Sequence, residues 1–431
     1  MARSWDVIVV GTRAAGAATA MLLARAGLQV LAVDQASFPS DTLSSHQVQV
    51  PGIARLSRWG LLAKLDAAGT PPTRRVRFDS DGVVLEGCFP PYDGVGALYS
   101  PRRTVLDALV VDAARAAGAE VWENVQVKDV SARDGVVTGI AGIAPGRSPI
   151  TESGRLVIGA DGKHSIVARA VHAEAYRVFP ASSVACYGYW SGLPLETGEL
   201  YQRAGLAAAA FPTNDGLTMV FITLPLAQFG SFRRGIKEAY MRAIDRCGDL
   251  GERVRTAVLA ERLRTTPDLP NHFHVPYGPG WAIVGDAGVV MDPVSAQGIG
   301  NALQDAESMA NAVVAGLGGS RPLASSLHEH WRRRDAAIGE MYDMTMRLAS
   351  YRPPSFGERL VLRSLPGRQA DVDRFLGVLA GTVRPSEFSS PRNLIRLLGY
   401  RVAAALGGVQ DRPRHHAPAP VGSVPSNAVP K

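Results

Sequence analysis

The stretch that most constrains the chain runs from Val7 to Asp34, VIVVGTRAAGAATAMLLARAGLQVLAVD. Val7 to Val10 is a short apolar run suited to a buried parallel strand, and Ala14 to Ala26 is rich in alanine and leucine and favours a helix. Gly27 closes that helix, and Val30 to Val33 supplies a second strand. The result is a βαβ start. Its turn keeps two of the three small positions that let a backbone approach a diphosphate: Gly11 permits the tight turn, and Gly16 lets the helix pack closely on the strand. Arg13 takes the place of the middle glycine and, with Ala14 and Ala15, puts a formal positive charge at a helix start that already offers free N–H groups and a positive dipole end. Asp34, followed by Gln35, ends the second strand where a carboxylate can accept from a ribose hydroxyl. An ordinary strand-to-helix turn, with Asp34 as a cap, is the other reading of the same residues.

The bulk properties fit a globular chain of two or three subdomains: 431 residues, 46% apolar and 20% charged. The net charge of +7 comes from arginines scattered singly and in pairs, without interleaved aromatics, so nucleic-acid binding is not expected. The densest run, Arg332 to Arg334 in HWRRRD, reads as an exposed helix face. Cys88, Cys186 and Cys247 are widely spaced and lack a CxxC pairing; buried reduced thiols are expected, with neither a disulfide framework nor a metal site. The start runs directly into WDVIVVG and no stretch of about 20 residues is uninterruptedly apolar, which points to a cytoplasmic protein with no integral membrane segment.

Further along, RRVRFDSDGVVLEGCF alternates on both sides of Asp81-Gly82 and reads as a hairpin. A helix is expected from Thr104 to Gly118, strands near 120–125 and 155–158, and strand-like runs again in VACYGYW and LTMVFITL. Pieces of a nucleotide domain (1–72, 101–170 and 276–320) thus alternate with pieces of a sheet-rich domain (73–100 and 171–275). A helical region follows over 321–410, and the Pro-rich tail 411–431 is expected to be disordered.

Two further motifs accompany the opening turn. RLVIGADGKHSIVARA sets Asp161-Gly162 after an apolar strand, with Ser165 and Arg169 at helical spacing, and WAIVGDAGVVMDPVSAQGIGNALQDA sets Gly285-Asp286 after another. In order and spacing the three turns, over residues 5 to 345, resemble the fingerprints of the group A FAD-dependent monooxygenases, the p-hydroxybenzoate hydroxylase-like superfamily. That resemblance implies an α/β two-domain flavoprotein: a Rossmann-like FAD domain interleaved with a mixed-sheet substrate domain, with C-terminal helices. It assigns Gly11, Arg13, Ala14, Ala15, Gly16, Asp34, Gln35, Arg103 and Val127 to the ADP half of FAD, with Arg102 leaving a one-residue ambiguity at Arg103. Asp161 and Gly162 fall on a motif implicated in both FAD and nicotinamide binding, and Asp286 on the aspartate that holds the ribityl chain. Pro293, Gly298, Ile299, Gly300 and Asn301 would lie along the isoalloxazine, with a helix from Asn301 to Ala310 aimed at its N1 and O2 edge; reduced flavin is negative there, and a helix start supplies backbone donors. Turn and cap roles for Gly298, Gly300, Asp286 and Asp292 are the alternative.

Two regions bear on the reaction. FPSDTLSSH, Phe38 to His46, lies where the family's chain passes the flavin, so His46 is a candidate proton shuttle or covalent tether, alongside Pro293 and Gly298 as reaction-site residues; a capped loop is the alternative. Tyr187, Tyr189, Trp190, Phe211 and Phe221 fall on strand-like segments whose one face can roof an aromatic or polycyclic apolar ligand, with most of these rings in the core, while His272 and His274 read as surface or structural residues. The reading that follows is an FAD-dependent monooxygenase using NADPH or NADH and O2 on a hydrophobic, aromatic metabolite. Halogenases of this type carry WxWxIP and geranylgeranyl-reductase-like saturases YxWxFP; neither occurs here, YGYWSGLP being a distant echo, although a reductase, oxidase or cyclase remains the alternative. No second GxGxxG follows a strand, so a nicotinamide would bind transiently.

Overall fold

The computed structural model describes residues 4–407, with side chains placed to residue 399. The chain opens with β1 (Ser4–Val10), α1 (Ala14–Arg25) and β2 (Val30–Val33). A hairpin follows, β3 (Arg75–Ser80) and β4 (Val83–Cys88), then α2 (Arg103–Ala116), β5 (Glu120–Trp122) and β6 (Pro149–Gly159). The sheet-rich stretch contributes β7 (Ser183–Ser191), β8 (Gly198–Arg203), β9 (Leu206–Pro212) and β10 (Thr218–Pro225). After β11 (Asn271–His274) and β12 (Trp281–Ile283) come two long helices, α3 (Gly298–Leu317) and α4 (Leu323–Ala349).

These elements build two main sheets. In the first, β12, β6, β1, β2 and β5 run parallel in that order, with Val10 opposite Gly159 and Val33, and Gly159 opposite Ile283. Both faces are covered, which is why β1 and β2 read as unbroken apolar runs rather than alternating ones. In sequence order the strands lie 3-2-1-4-5, so the chain reverses direction across the sheet between β1 and β6, and a crevice opens there at the carboxyl ends.

The second sheet has the order β7-β10-β9-β8-β3-β4, so the hairpin 75–88 joins the strands of 183–225 although about a hundred residues separate them. Helices at Ile236–Ile244 and Leu250–Thr256 cover one face, burying Tyr240, Ile244 and Val254 against Cys186, Val220 and Ile222. The other face carries Ala185, Tyr187, Tyr189, Met219 and Phe221 as a separate buried cluster.

Three sequence expectations change. The helix expected from Asn301 begins at Gly298 and runs to Leu317, because Gly298 and Gly300 lie inside its first turn rather than before it. Arg332 and Arg333 are 73% and 71% exposed, but the Arg334 side chain is 1% exposed: at 100° per residue the third arginine turns to the inner face of α4. Cys186 and Cys247 are buried, whereas Cys88 is exposed on the outward side of β4. The tail 411–431 lies outside the described residues. Among the described residues no helix is long and apolar enough to cross a membrane, and no group of His, Cys, Asp or Glu is arranged to hold a metal ion.

Candidate functional site

Parallel pairing brings the three glycine-rich turns to one edge. Gly11 leaves β1 with φ +93°, and a Cβ there would sit 2.5 Å from the Ala160 carbonyl oxygen; one on Gly16 would sit 1.8 Å from that of Gly11. Neither position admits a side chain without moving backbone. Gly285, at φ +64°, approaches α1 so closely that its Cβ would lie 2.6 Å from the Ala15 methyl. Ala160-Asp161, Gly11-Thr12 and Gly285-Asp286 therefore meet around the first turn of α1, in which Ala14 and Ala15 are buried. That helix has no side-chain cap at Arg13, so its first N–H groups remain open.

The carboxylates of these turns divide their work. Asp34 is buried and accepts from Thr12 N–H (2.6 Å), Thr12 Oγ1 (3.2 Å) and Ala36 N–H (2.8 Å), which locks the second strand's turn to the first. Neighbouring Gln35 is exposed. Asp161 Oδ2 accepts from Ile166 N–H (2.7 Å) at the start of the helix Ile166–Ala170, while its Oδ1 is buried without a partner; burial raises its carboxyl above the ordinary range, against the hydrogen bonds of Ser165 and the backbone. Asp286 reaches solvent with protein packed close around it. That surround pushes its carboxyl up, opposed by the charges of Arg103 and Lys163.

The arginine pair separates cleanly. Arg103 turns inward, with Nε 3.0 Å and Nη2 2.9 Å from Asp107 Oδ1, and its charge reaches Asp286. Arg102 turns toward the second sheet, where it bonds Glu261 and stands over the Tyr189 ring at 4.5 Å. Arg13 has partners the sequence did not suggest. Its Nη1 lies 2.6 Å from Asp107 Oδ2, and the guanidinium also donates to Ser40 Oγ (3.1 Å) and to the Ser40 and Asp41 carbonyls (both 3.3 Å), over the Phe38 ring. Asp107, fully buried, thus bridges both arginines; sequence reading passed over it, and its only signal was the i,i+4 spacing from Arg103.

Loop 38–46 links this turn to the second sheet. Asp41 lies 2.9 Å from Arg264, and His46, fully buried at φ +59°, hydrogen-bonds through Nε2 to the Tyr189 hydroxyl. The imidazole stacks on Tyr189 and meets Tyr187 edge-on, both at 5.6 Å, and its Nδ1 has no partner. A buried side chain in the left-handed region is costly, and such strain concentrates at functional positions. Burial, then the charges of Arg103, Arg102 and Arg264, hold His46 well below the ordinary imidazole range, so it is neutral at pH 7.

Pro293 opens a short 3-10 turn (Pro293–Ser295) that Asp292 caps through Val294 N–H (3.0 Å), which bears out a cap role for Asp292 while Asp286 caps nothing comparable. Gly298, Ile299, Gly300 and Asn301 form the first turn of α3, which has no side-chain cap. A Cβ on Gly298 would meet nothing within 4 Å, and one on Gly300 only Gln49 at 4.0 Å, so these glycines border open space. Gly162, at φ +81°, does likewise. Val127 stands apart, its side chain buried in one apolar cluster with Ile8, Val10 and Leu31, leaving only its main chain for any ligand. Open N–H groups at two helix starts, a solvent-reaching Asp286, an unpartnered Asp161 oxygen and the glycine-lined space suit a molecule with a diphosphate and a polar ring edge, as FAD has.

Comparison with known proteins agrees with this geometry. Residues 4–185 match the FAD binding domain family. The chain is similar to tryptophan 2-halogenase of Chondromyces crocatus (23% identity; 81% of this chain, 70% of the relative) and to digeranylgeranylglycerophospholipid reductase 2 of Methanothermobacter thermautotrophicus (27%; 84% and 92%). Among solved structures it resembles the myxobacterial chondrochloren halogenase CndH (TM-score 0.75, 22% identity, 92% of this chain and 96% of that one). It also resembles Pseudomonas aeruginosa PqsL in complex with 2-aminobenzoylacetate (TM-score 0.67, 21%, 85% and 98%). The likenesses to solved structures give the fold, two-domain α/β.

Proposed function

We propose that this chain, whose residues 4–185 match the FAD binding domain family, is an FAD-dependent monooxygenase that uses NADPH or NADH and O2 on a hydrophobic, aromatic small molecule. The observation that carries this reading is the aromatic face of the second sheet. Tyr187, Tyr189 and Phe221 line it, and His46 ties it to the loop that also engages the dinucleotide turn through Arg13. Those rings are almost fully buried, and a flat apolar ligand seated against that face would be shielded from water there. The solved PqsL complex, whose ligand is an aromatic keto acid, supports an aromatic substrate on this fold.

In this reading the N–H groups at the start of α1, with Gly11, Gly16 and Arg103, hold the diphosphate of FAD, Asp34 faces a ribose, and Asp286 accepts from the ribityl hydroxyls. Bound there, FAD supplies a two-electron centre that accepts hydride and reacts with oxygen. The N–H groups of Gly298 to Gly300 hold its anionic edge without cost of reorganisation, and Pro293 closes the turn beside it. His46, neutral and hydrogen-bonded to Tyr189, holds a proton at the substrate side of the site.

Anaerobic mixing with NADPH or NADH, followed by oxygen and a panel of aromatic compounds, tests this: flavin bleaching by the nicotinamide and a product heavier by one oxygen atom are expected. A second reading, a reductase, is favoured by the likeness to the phospholipid reductase over 397 residues; it requires substrate reduction without oxygen. Halogenation is a further reading: no tryptophan here is followed two residues later by another, but the likeness to tryptophan 2-halogenase and to CndH favours it, and a product that gains chlorine or bromine when halide is added would support it.

A further inference from the structure

The long helix α4 makes contacts that neither the family motifs nor the flavin reading uses. His330 and Arg334, one turn apart on it, are 2% exposed each. Both approach the turn Gly285 to Gly288, from opposite ends. At the first end, Gly285 N–H donates to Asp305 Oδ2 (2.9 Å), and the other oxygen of that carboxylate lies 3.5 Å from His330 Nε2, a packing contact in which neither atom is hydrogen-bonded. The far nitrogen of the imidazole is fixed by Ser308 Oγ at 2.9 Å. At the second end, His274 N–H donates to the Gly288 carbonyl (2.7 Å), and the His274 carbonyl accepts from Arg334 Nη2 (2.9 Å). Arg334 Nη1 lies so near Gly288 that a Cβ there would be 3.1 Å away. The guanidinium is itself held by Tyr176 Oη (2.7 Å) and Asp335 Oδ1 (3.0 Å).

We propose that His330 and Arg334 are positioning residues: acting through Asp305 and His274, they clamp both ends of the Gly285 to Gly288 turn and thereby set where Asp286 presents its carboxylate to the flavin. Further along α4, Thr345 Oγ1 donates to Ser295 Oγ (2.7 Å), so the same helix also braces the turn after Pro293. One rigid element thus backs both turns that border the open space beside α3, and a group held by such a backing layer keeps its geometry when its ligand changes charge. The small cavity lined by Gly285, Asp286, Gly298, Asn301 and Asp305 is also lined by Ile338 of α4. The proposal rests on the placement of FAD given above.

The test uses FAD itself as the probe, with affinity and midpoint potential measured beside thermal stability of the same preparations. Arg334→Met and His330→Gln should each weaken FAD binding at least fivefold and shift the potential of the bound flavin. Arg334→Lys keeps the charge but not the fork and should recover only part of the affinity. Arg333→Met, at the exposed neighbour, should change neither quantity. Where Arg334→Met does not fold, His330→Gln and Asp305→Asn decide the matter by the same two readouts. Unchanged affinity and potential in the folded variants, whatever their melting temperature, overturns the proposal and leaves a packing role. Wild-type chain that takes up no FAD would remove the flavin reading itself.

Discussion

Asp107 and Arg13 form an ion pair of 2.6 Å between a fully buried carboxylate and a guanidinium whose side chain is 27% exposed. The pair joins α2 to the dinucleotide turn, and the second oxygen of Asp107 carries Arg103. Arg13 therefore stands where a glycine is usual without leaving an uncompensated charge, and its remaining donors fasten loop 38–46.

Removing the buried member of this cluster should cost more than removing the partly exposed one. Asp107→Ala strands the Arg103 charge in a dry setting and should destabilise the folded chain by about 3 kcal/mol, whereas Arg13→Met should cost about 1 kcal/mol. Denaturant unfolding of the two variants checks the order. Equal losses would mean that Asp107 is better hydrated than its burial indicates.

Glycines of the site fall into two kinds, with opposite expected phenotypes. A methyl at Gly16 would collide with the Gly11 carbonyl oxygen at 1.8 Å, so Gly16→Ala should impair folding and FAD retention together. A methyl at Gly298 meets only open space, so Gly298→Ala should leave the melting temperature of the FAD-free chain unchanged or slightly raised. It should nonetheless lower FAD affinity about tenfold, because the methyl enters the volume assigned to the ring. Calorimetry and FAD titration on both variants provide the check.

Acid should destabilise the fold through its buried and half-buried imidazoles. Burial lowers His46 well below 6.5, lowers His330, and lowers His272 to about 4. These groups stay neutral in the native chain while their unfolded counterparts take up protons, so the unfolded state binds more protons and stability falls as pH drops from 6.5 toward 4. His272→Gln should flatten the lower part of that window. The raised carboxyls of Asp161 and Asp286 act in the opposite sense, so the comparison is with the wild type: an unchanged pH dependence of the melting temperature between 7 and 4.5 in His272→Gln would contradict the lowered imidazole of His272.

The legible part of the fold was the part governed by local rules. Gly11, Gly16 and the apolar runs of β1 and β2 follow from chain sterics and two-sided burial, and the meeting of Asp161 and Asp286 follows from parallel strands gathering their carboxyl-end turns at one edge. Asp107, His330 and Arg334 were not legible, since their partners lie on other elements and nothing local distinguishes Arg334 from its two exposed neighbours. The start of α3 was misjudged for a related reason. Glycine is a poor helix former on its own account, yet at Gly298 and Gly300 the space beside the backbone stays open and the first turn forms there. His46 drew notice as a chemical type, but its pairing with Tyr189, 143 residues away, needed the folded chain.

The central claim is that electrons from a nicotinamide, delivered through FAD, place one atom of molecular oxygen on an aromatic substrate. The most direct measurement is turnover of a converted aromatic compound under isotopically labelled oxygen, with mass analysis of the product. One labelled oxygen atom per product molecule, with one NADPH or NADH consumed, is the predicted result. Conversion with no label in the product, whether the change is a reduction that proceeds without oxygen or an oxidation that releases all oxygen as peroxide, would contradict it.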